Sequence, residues 1–156
     1  MDWKDVTPEE AAENRYYGLG GWLLVFYVLG VLGFLASFAG LLSLEMLKRT
    51  FDDNYMILAG LGVVQGILYL PFLILAPQKH PLMPRAAISA LWLGVVVTAI
   101  AGMVADPSQM MGQLIFSVVM VALFAWYLRK SKRVNVTYLH RVPVEEHADT
   151  AERPTD

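Results

Sequence analysis

Four stretches of this chain contain no Asp, Glu, Lys, Arg or His: residues 19–44, 55–76, 86–104 and 110–128. Each is 19–26 residues long, and together they take up more than half of the 156 residues. Crossing a hydrocarbon core of roughly 30 Å needs about 20 apolar residues at 1.5 Å apiece. A soluble domain of this size that buried four such helices would have almost nothing left to make its surface. It would also carry about a quarter charged residues, against 17% here. The sequence therefore predicts an all-α membrane protein, a bundle of four transmembrane helices. Residues 1–17 form an acidic head, 18–138 the transmembrane domain, and 139–156 a polar tail whose composition predicts disorder.

The head sets Asp2, Asp5, Glu9, Glu10 and Glu13 against Lys4 and Arg15, the wrong charge for a cleavable signal. The apolar run after it also exceeds the 7–15 residues typical of a signal core. The first helix is therefore expected to stay in the mature protein. Thr7-Pro8-Glu9-Glu10 has the form of a capped helix start, with Thr7 as N-cap and Glu10 closing a capping box. A short helix to about Tyr17 should follow. Residues 45–54 read as a charged connection, and residues 77–85 as a second one stiffened by three prolines. Asp106-Pro107 is a ready start for the fourth helix. At 26 residues the first span is about 39 Å long, so it should tilt or extend into the interface through Gly18, Gly20 and Gly21.

With an even number of spans, both termini and the middle connection share one side. That side holds ten Lys and Arg (Lys4, Arg15, Lys79, Arg85, Arg129, Lys130, Lys132, Arg133, Arg141, Arg153), and the other holds Lys48 and Arg49. The bias predicts both termini in the cytoplasm. Tyr16, Tyr17 and Trp22 at one end, with Trp126 and Tyr127 at the other, would form the aromatic belt on that side.

The interior offers little chemistry. Ion pathways and proton relays place ionisable side chains in the membrane, and the spans contain none. His80, His140 and His147 fall in loops or tail, out of reach of a haem inside the bundle. There is no cysteine, hence no disulfide or thiolate metal site. The glycines at 18–21 do not make a dinucleotide fingerprint, because Leu23 stands at the third required position. We expect no enzyme activity, no cofactor and no metal.

What remains is polar or small. Gln65 and Gln113 are costly at membrane depth, and mark either a site for a polar ligand or water between the second and fourth helices, or an interhelical hydrogen bond. Gly33/Ser37, Ala36/Gly40 and Gly62/Gly66 recur at a spacing of four, which lets helix backbones approach closely, within the bundle or against another protein. Pro71 should kink the second helix. Arg129, Lys130, Lys132 and Arg133 form a collar directly after the last span, stopping and orienting it. If that helix continues, Arg129, Lys132 and Arg133 share a face, with Lys130 about 100° away. Joined by Arg85 and Lys79, they could hold anionic lipid headgroups or a partner's acidic surface, each cation contributing about 1 kcal/mol near an anionic leaflet.

Two motifs frame the transmembrane domain: Gly20-Gly21-Trp22-Leu23 opens the first span, and Ser131-Lys132-Arg133-Val134 with Thr137-Tyr138 closes the last. With four spans and a proline-bearing middle connection, the chain resembles the YdgK-like family of small bacterial inner-membrane proteins of unknown function. The resemblance implies a bacterial inner membrane and assigns no activity. The expected function is that of a non-enzymatic accessory or assembly subunit of a membrane complex. The alternative is a transport component for an apolar or lipid-like substrate, with Gln65, Gln113 and Pro71 as working parts. Expected partners are the bilayer, anionic phospholipid at the cytoplasmic face, and a membrane-protein partner or a second copy, with no role for nucleic acid.

Overall fold

The computed structural model of the protein describes residues 3–144. Four helices in it are long and apolar enough to cross a membrane: Trp22–Leu42, Tyr55–Leu75, Met83–Ala105 and Pro107–Lys130. In chain order the elements are β1 (Trp3–Asp5), α1 (Pro8–Glu13), α2 (Trp22–Ser37), α3 (Ala39–Leu42), α4 (Leu44–Phe51), a 3-10 turn (Asp52–Asn54), α5 (Tyr55–Leu75), α6 (Met83–Ala105), α7 (Pro107–Lys130), α8 (Lys132–Leu139) and β2 (Arg141–Pro143). Helix α2 packs on α5, α5 on α6 and α6 on α7. The result is an all-α bundle in chain order.

The first span departs from the sequence expectation. The chain turns at Phe38 and again at Ser43, so the 26-residue run becomes α2, the single turn α3 and the start of α4. The span is 21 residues, about 31 Å, and the excess that would have forced tilting is gone. Gly18, Gly20 and Gly21 lie outside the helix, Gly18 and Gly21 with positive φ of 96° and 55°. The break also separates Ala36 from Gly40. Ala36 is exposed, and a Cβ at Gly40 would make only ordinary contact with Leu47. A spacing of four marks one helix face only while the helix is continuous, so this pair is not a packing motif.

The other small residues lie where the backbones crowd. A Cβ at Gly62 would sit 2.8 Å from the Ser37 carbonyl oxygen, one at Gly66 2.6 Å from the Phe38 ring, and one at Gly33 2.8 Å from Tyr69. These glycines set the α2–α5 contact. Ser37 donates its hydroxyl to the Phe34 carbonyl in its own helix. Helix α5 runs through Pro71 without interruption. Asn54 reaches the Val104 carbonyl across the far end. The charged connection is itself helical, forming α4, on which Leu44 and Met46 are exposed and Leu47 and Phe51 half-buried.

Both described chain ends and the α5–α6 connection gather on one face of the bundle, here termed the terminal face. Thr7 caps α1 with both halves of the capping box formed. Strand β1 pairs antiparallel with β2 in the register Trp3↔Pro143, supported by an Arg141–Asp5 ion pair of 2.8 Å. The polar tail expected from residue 139 is ordered at its start: residues 141–143 are paired strand, and residues 145–156 lie outside the described residues. The core is concentrated at this end. Leu23, Phe72, Ala76, Met83, Leu128 and Tyr138 form one buried cluster, and Ala11, Val136 and Val142 a smaller one beneath it.

Candidate functional site

The closing motif is the part of the chain most changed from its sequence reading. Helix α7 stops at Lys130 because Ser131 adopts an extended backbone, with ψ of 124°, and its hydroxyl accepts from the Val134 amide to start α8. The collar is therefore not one helical face. Arg129 and Lys130 end α7 in the open, Arg85 is exposed in the first turn of α6, and Lys132 and Arg133 fold back toward the head. Lys132 lies over the Tyr16 ring at 5.7 Å and Lys79 over Tyr17 at 4.1 Å.

This fold-back brings the two framing motifs together. Thr137, fully buried, accepts from the Gly18 amide at 2.9 Å and donates to the Tyr16 carbonyl at 3.4 Å. The Arg133 guanidinium donates to the Gly18 carbonyl at 3.5 Å and lies against Gly20, where a Cβ would come within 3.1 Å of it. Both polar groups of Gly18 are thus held by the closing motif, and Gly20 leaves room for the cation. Tyr138 donates to the Ala76 carbonyl at 2.9 Å, closing the end of α5, and burial pushes its phenol pKa up. Val134 is buried with Leu23 in the main cluster, whereas Trp22 faces outward.

Sequence reasoning missed Asn135. Its side-chain amide donates to the carbonyls of Arg129 and Ser131; the first is among the oxygens that the end of α7 leaves unsatisfied, and the second also accepts the Asn135 backbone amide. A buried position for an Asn that stands between two valines in a polar segment was the available signal.

Further into the bundle lies a cavity of about 460 Å³, within the range of small-molecule sites. Helix α2 contributes Phe26 and Leu29, α5 contributes Gln65 and Tyr69, α6 contributes Gly94 and Thr98, and α7 contributes Phe116 and Met120. The ring of helices closes unevenly. Between α2 and α7 the backbones stay farther apart than in the other three seams. Toward the terminal face the gap is bridged by side chains, Phe26 against Phe124 at 4.3 Å and against Tyr127 at 5.1 Å. Beyond that bridge, Leu29, Phe116 and Leu123 line the cavity and are each more than half exposed. In a membrane this is an opening onto acyl chains.

Gln65 reaches from α5 toward α6, where Gly94 makes room: a Cβ there would lie 2.9 Å from its amide nitrogen. Its Oε1 is buried without a hydrogen-bond partner. Thr98 returns its hydroxyl to the Gly94 carbonyl. Gln113 is exposed on α7 and is not part of the cavity, so the two glutamines do not form the pair expected between the second and fourth helices. The reason is depth: Gln113 shares a helical face with Phe116, Ser117 and Met120 but lies a turn nearer the start of α7 than these cavity-lining residues. Among the described residues, no cluster of His, Asp or Glu could hold a metal ion.

The fold and site define a multi-pass membrane protein with a closed terminal face and an apolar, laterally open cavity. The family model for proteins of unknown function DUF2569 matches residues 16–139, and the chain belongs to that family. The matched region begins at Tyr16 and ends one residue past Tyr138, so it contains both framing motifs and the contacts between them. Neither a curated protein nor a solved structure matches the chain.

Proposed function

We propose that this protein is a non-enzymatic component of a bacterial inner membrane that takes an apolar, lipid-like molecule from the bilayer into its bundle, for passage or presentation. The observation that carries this reading is the cavity open between α2 and α7, whose exposed rim is Leu29, Phe116 and Leu123. A ligand entering there never has to leave the acyl phase. It exchanges lipid contacts for protein contacts, so affinity comes from shape and dispersion rather than from water release. The charge bias of the loops supports cytoplasmic termini, and the narrower likeness to YdgK-like proteins supports the bacterial inner membrane.

A second reading, an accessory subunit, draws on the same seam: a helix of a partner could lie against α2 and α7 and cover the opening. Anionic phospholipid at Arg129, Lys130 and Arg85 is compatible with both. The deciding experiment is extraction in a mild detergent followed by native mass spectrometry. The ligand reading predicts a retained adduct of lipid-like mass, reduced in Ala90→Phe, which fills the cavity. A stoichiometric protein partner with no such adduct would replace it with the subunit reading.

A further inference from the structure

Gln65 has no role in holding the bundle together that its hydrogen bonds would reveal. An amide left unpaired away from water is expensive, and its buried Oε1 has no donor. Yet Gly94 is shaped to receive this side chain, and the position lines the cavity. Of the other hydroxyls that line the cavity, Thr98 donates to the Gly94 carbonyl, and none donates to Gln65 Oε1.

We infer that the cavity selects an apolar molecule carrying a hydroxyl, such as a long-chain alcohol or a quinol, whose O–H donates to the Gln65 side-chain carbonyl. This inference rests on the ligand reading above and names the chemistry of its polar end. The terminal torsion of Gln is broad, so the amide can turn its oxygen onto a group in the cavity. A hydroxyl both donates and accepts, and therefore satisfies the amide in either orientation; an ether or ester only accepts. A charged headgroup is disfavoured, because Gln65 and its surroundings offer no opposite charge at this depth.

The test uses the full chain in phosphatidylcholine nanodiscs and a 16-carbon primary alcohol with a mid-chain diazirine as photolabel, read by intact mass. The competitors are 1-hexadecanol and 1-methoxyhexadecane, equally apolar and differing in the donor. On the wild-type protein the alcohol should displace the label at about tenfold lower concentration, the worth of one hydrogen bond. On Gln65→Leu the label should still bind and the two competitors should become equal. Gln65→Met, closer in length, guards against misfolding of the first variant. Equal competition on the wild type would overturn the hydroxyl inference and leave the cavity reading standing. Absence of saturable labelling would overturn both.

Discussion

The terminal face and the cavity are built in opposite ways from the same four helices. At the terminal face, polar groups far apart in the chain converge and are satisfied: Thr137 with Gly18 and Tyr16, Arg133 with Gly18, and Tyr138 with Ala76. In the cavity, the side-chain oxygen of Gln65 is buried with no donor, and the α2–α7 seam is bridged by rings at one end and exposed beyond them. Buried hydrogen bonds in fixed geometry specify one arrangement of the helix ends. Apolar contacts in a seam that faces lipid leave α2 and α7 freer to separate, since lipid is as apolar as the side chains it replaces. One end of the bundle is clamped by hydrogen bonds, and the α2–α7 seam beyond it is not.

The largest effect should come from removing the clamp. Tyr138→Ala deletes a buried ring and its bond to α5, and should lower stability by about 3–5 kcal/mol, seen as a fall in thermal midpoint in detergent. A loss of under a tenth of that would mean the terminal face is not what holds the helix ends. Gly62→Leu comes next. Its Cβ meets backbone, not a flexible side chain, so about 1–3 kcal/mol is expected from overpacking. Asn135→Ala should cost about 1–3 kcal/mol by freeing the Arg129 carbonyl at the end of α7, while leaving lipid adducts at the cavity unchanged.

A smaller, pH-dependent effect sharpens the same contrast. The folded Tyr138 phenol holds its proton above the ordinary value of 10.0. Its contribution is complete below pH 10 and is lost as pH rises beyond it, because the unfolded chain ionises first. Tyr138→Phe should lose about 0.5–1.5 kcal/mol for the missing hydrogen bond and should show a shallower decline in alkaline buffer than the wild type. Last, Gln65→Leu should leave thermal stability unchanged or slightly higher, since an unmet polar group is being replaced by an apolar one. A large loss would make Gln65 a structural residue and remove the contrast.

The number and approximate limits of the spans were legible because an absence of charge over twenty residues has few other readings. The capping box at Thr7 and the start of α7 at Asp106 were legible for the same kind of reason: a local hydrogen bond is written in local sequence. The breaks at Phe38 and Ser131 were not. Neither position carries Gly or Pro, and Ser131 becomes a helix start through what α8 buries afterwards. The partnership of the two motifs was visible only as co-occurrence. That Thr137 meets Gly18 depends on a fold-back no periodicity encodes. The cavity was hinted at by Gln65 and misassigned at Gln113, because a charge-free run does not show how far along a helix the neighbouring helices enclose a cavity.

The account stands most directly on where an apolar ligand meets the protein. Photolabelling with the diazirine alcohol in nanodiscs, followed by peptide mapping, reads this residue by residue. The account predicts saturable adducts at Leu29, Met120 and Leu123, along the α2–α7 opening and the cavity behind it. Labelling spread evenly over lipid-facing positions such as Ile57, Val96 and Met103, with no saturable component at the seam, would contradict it.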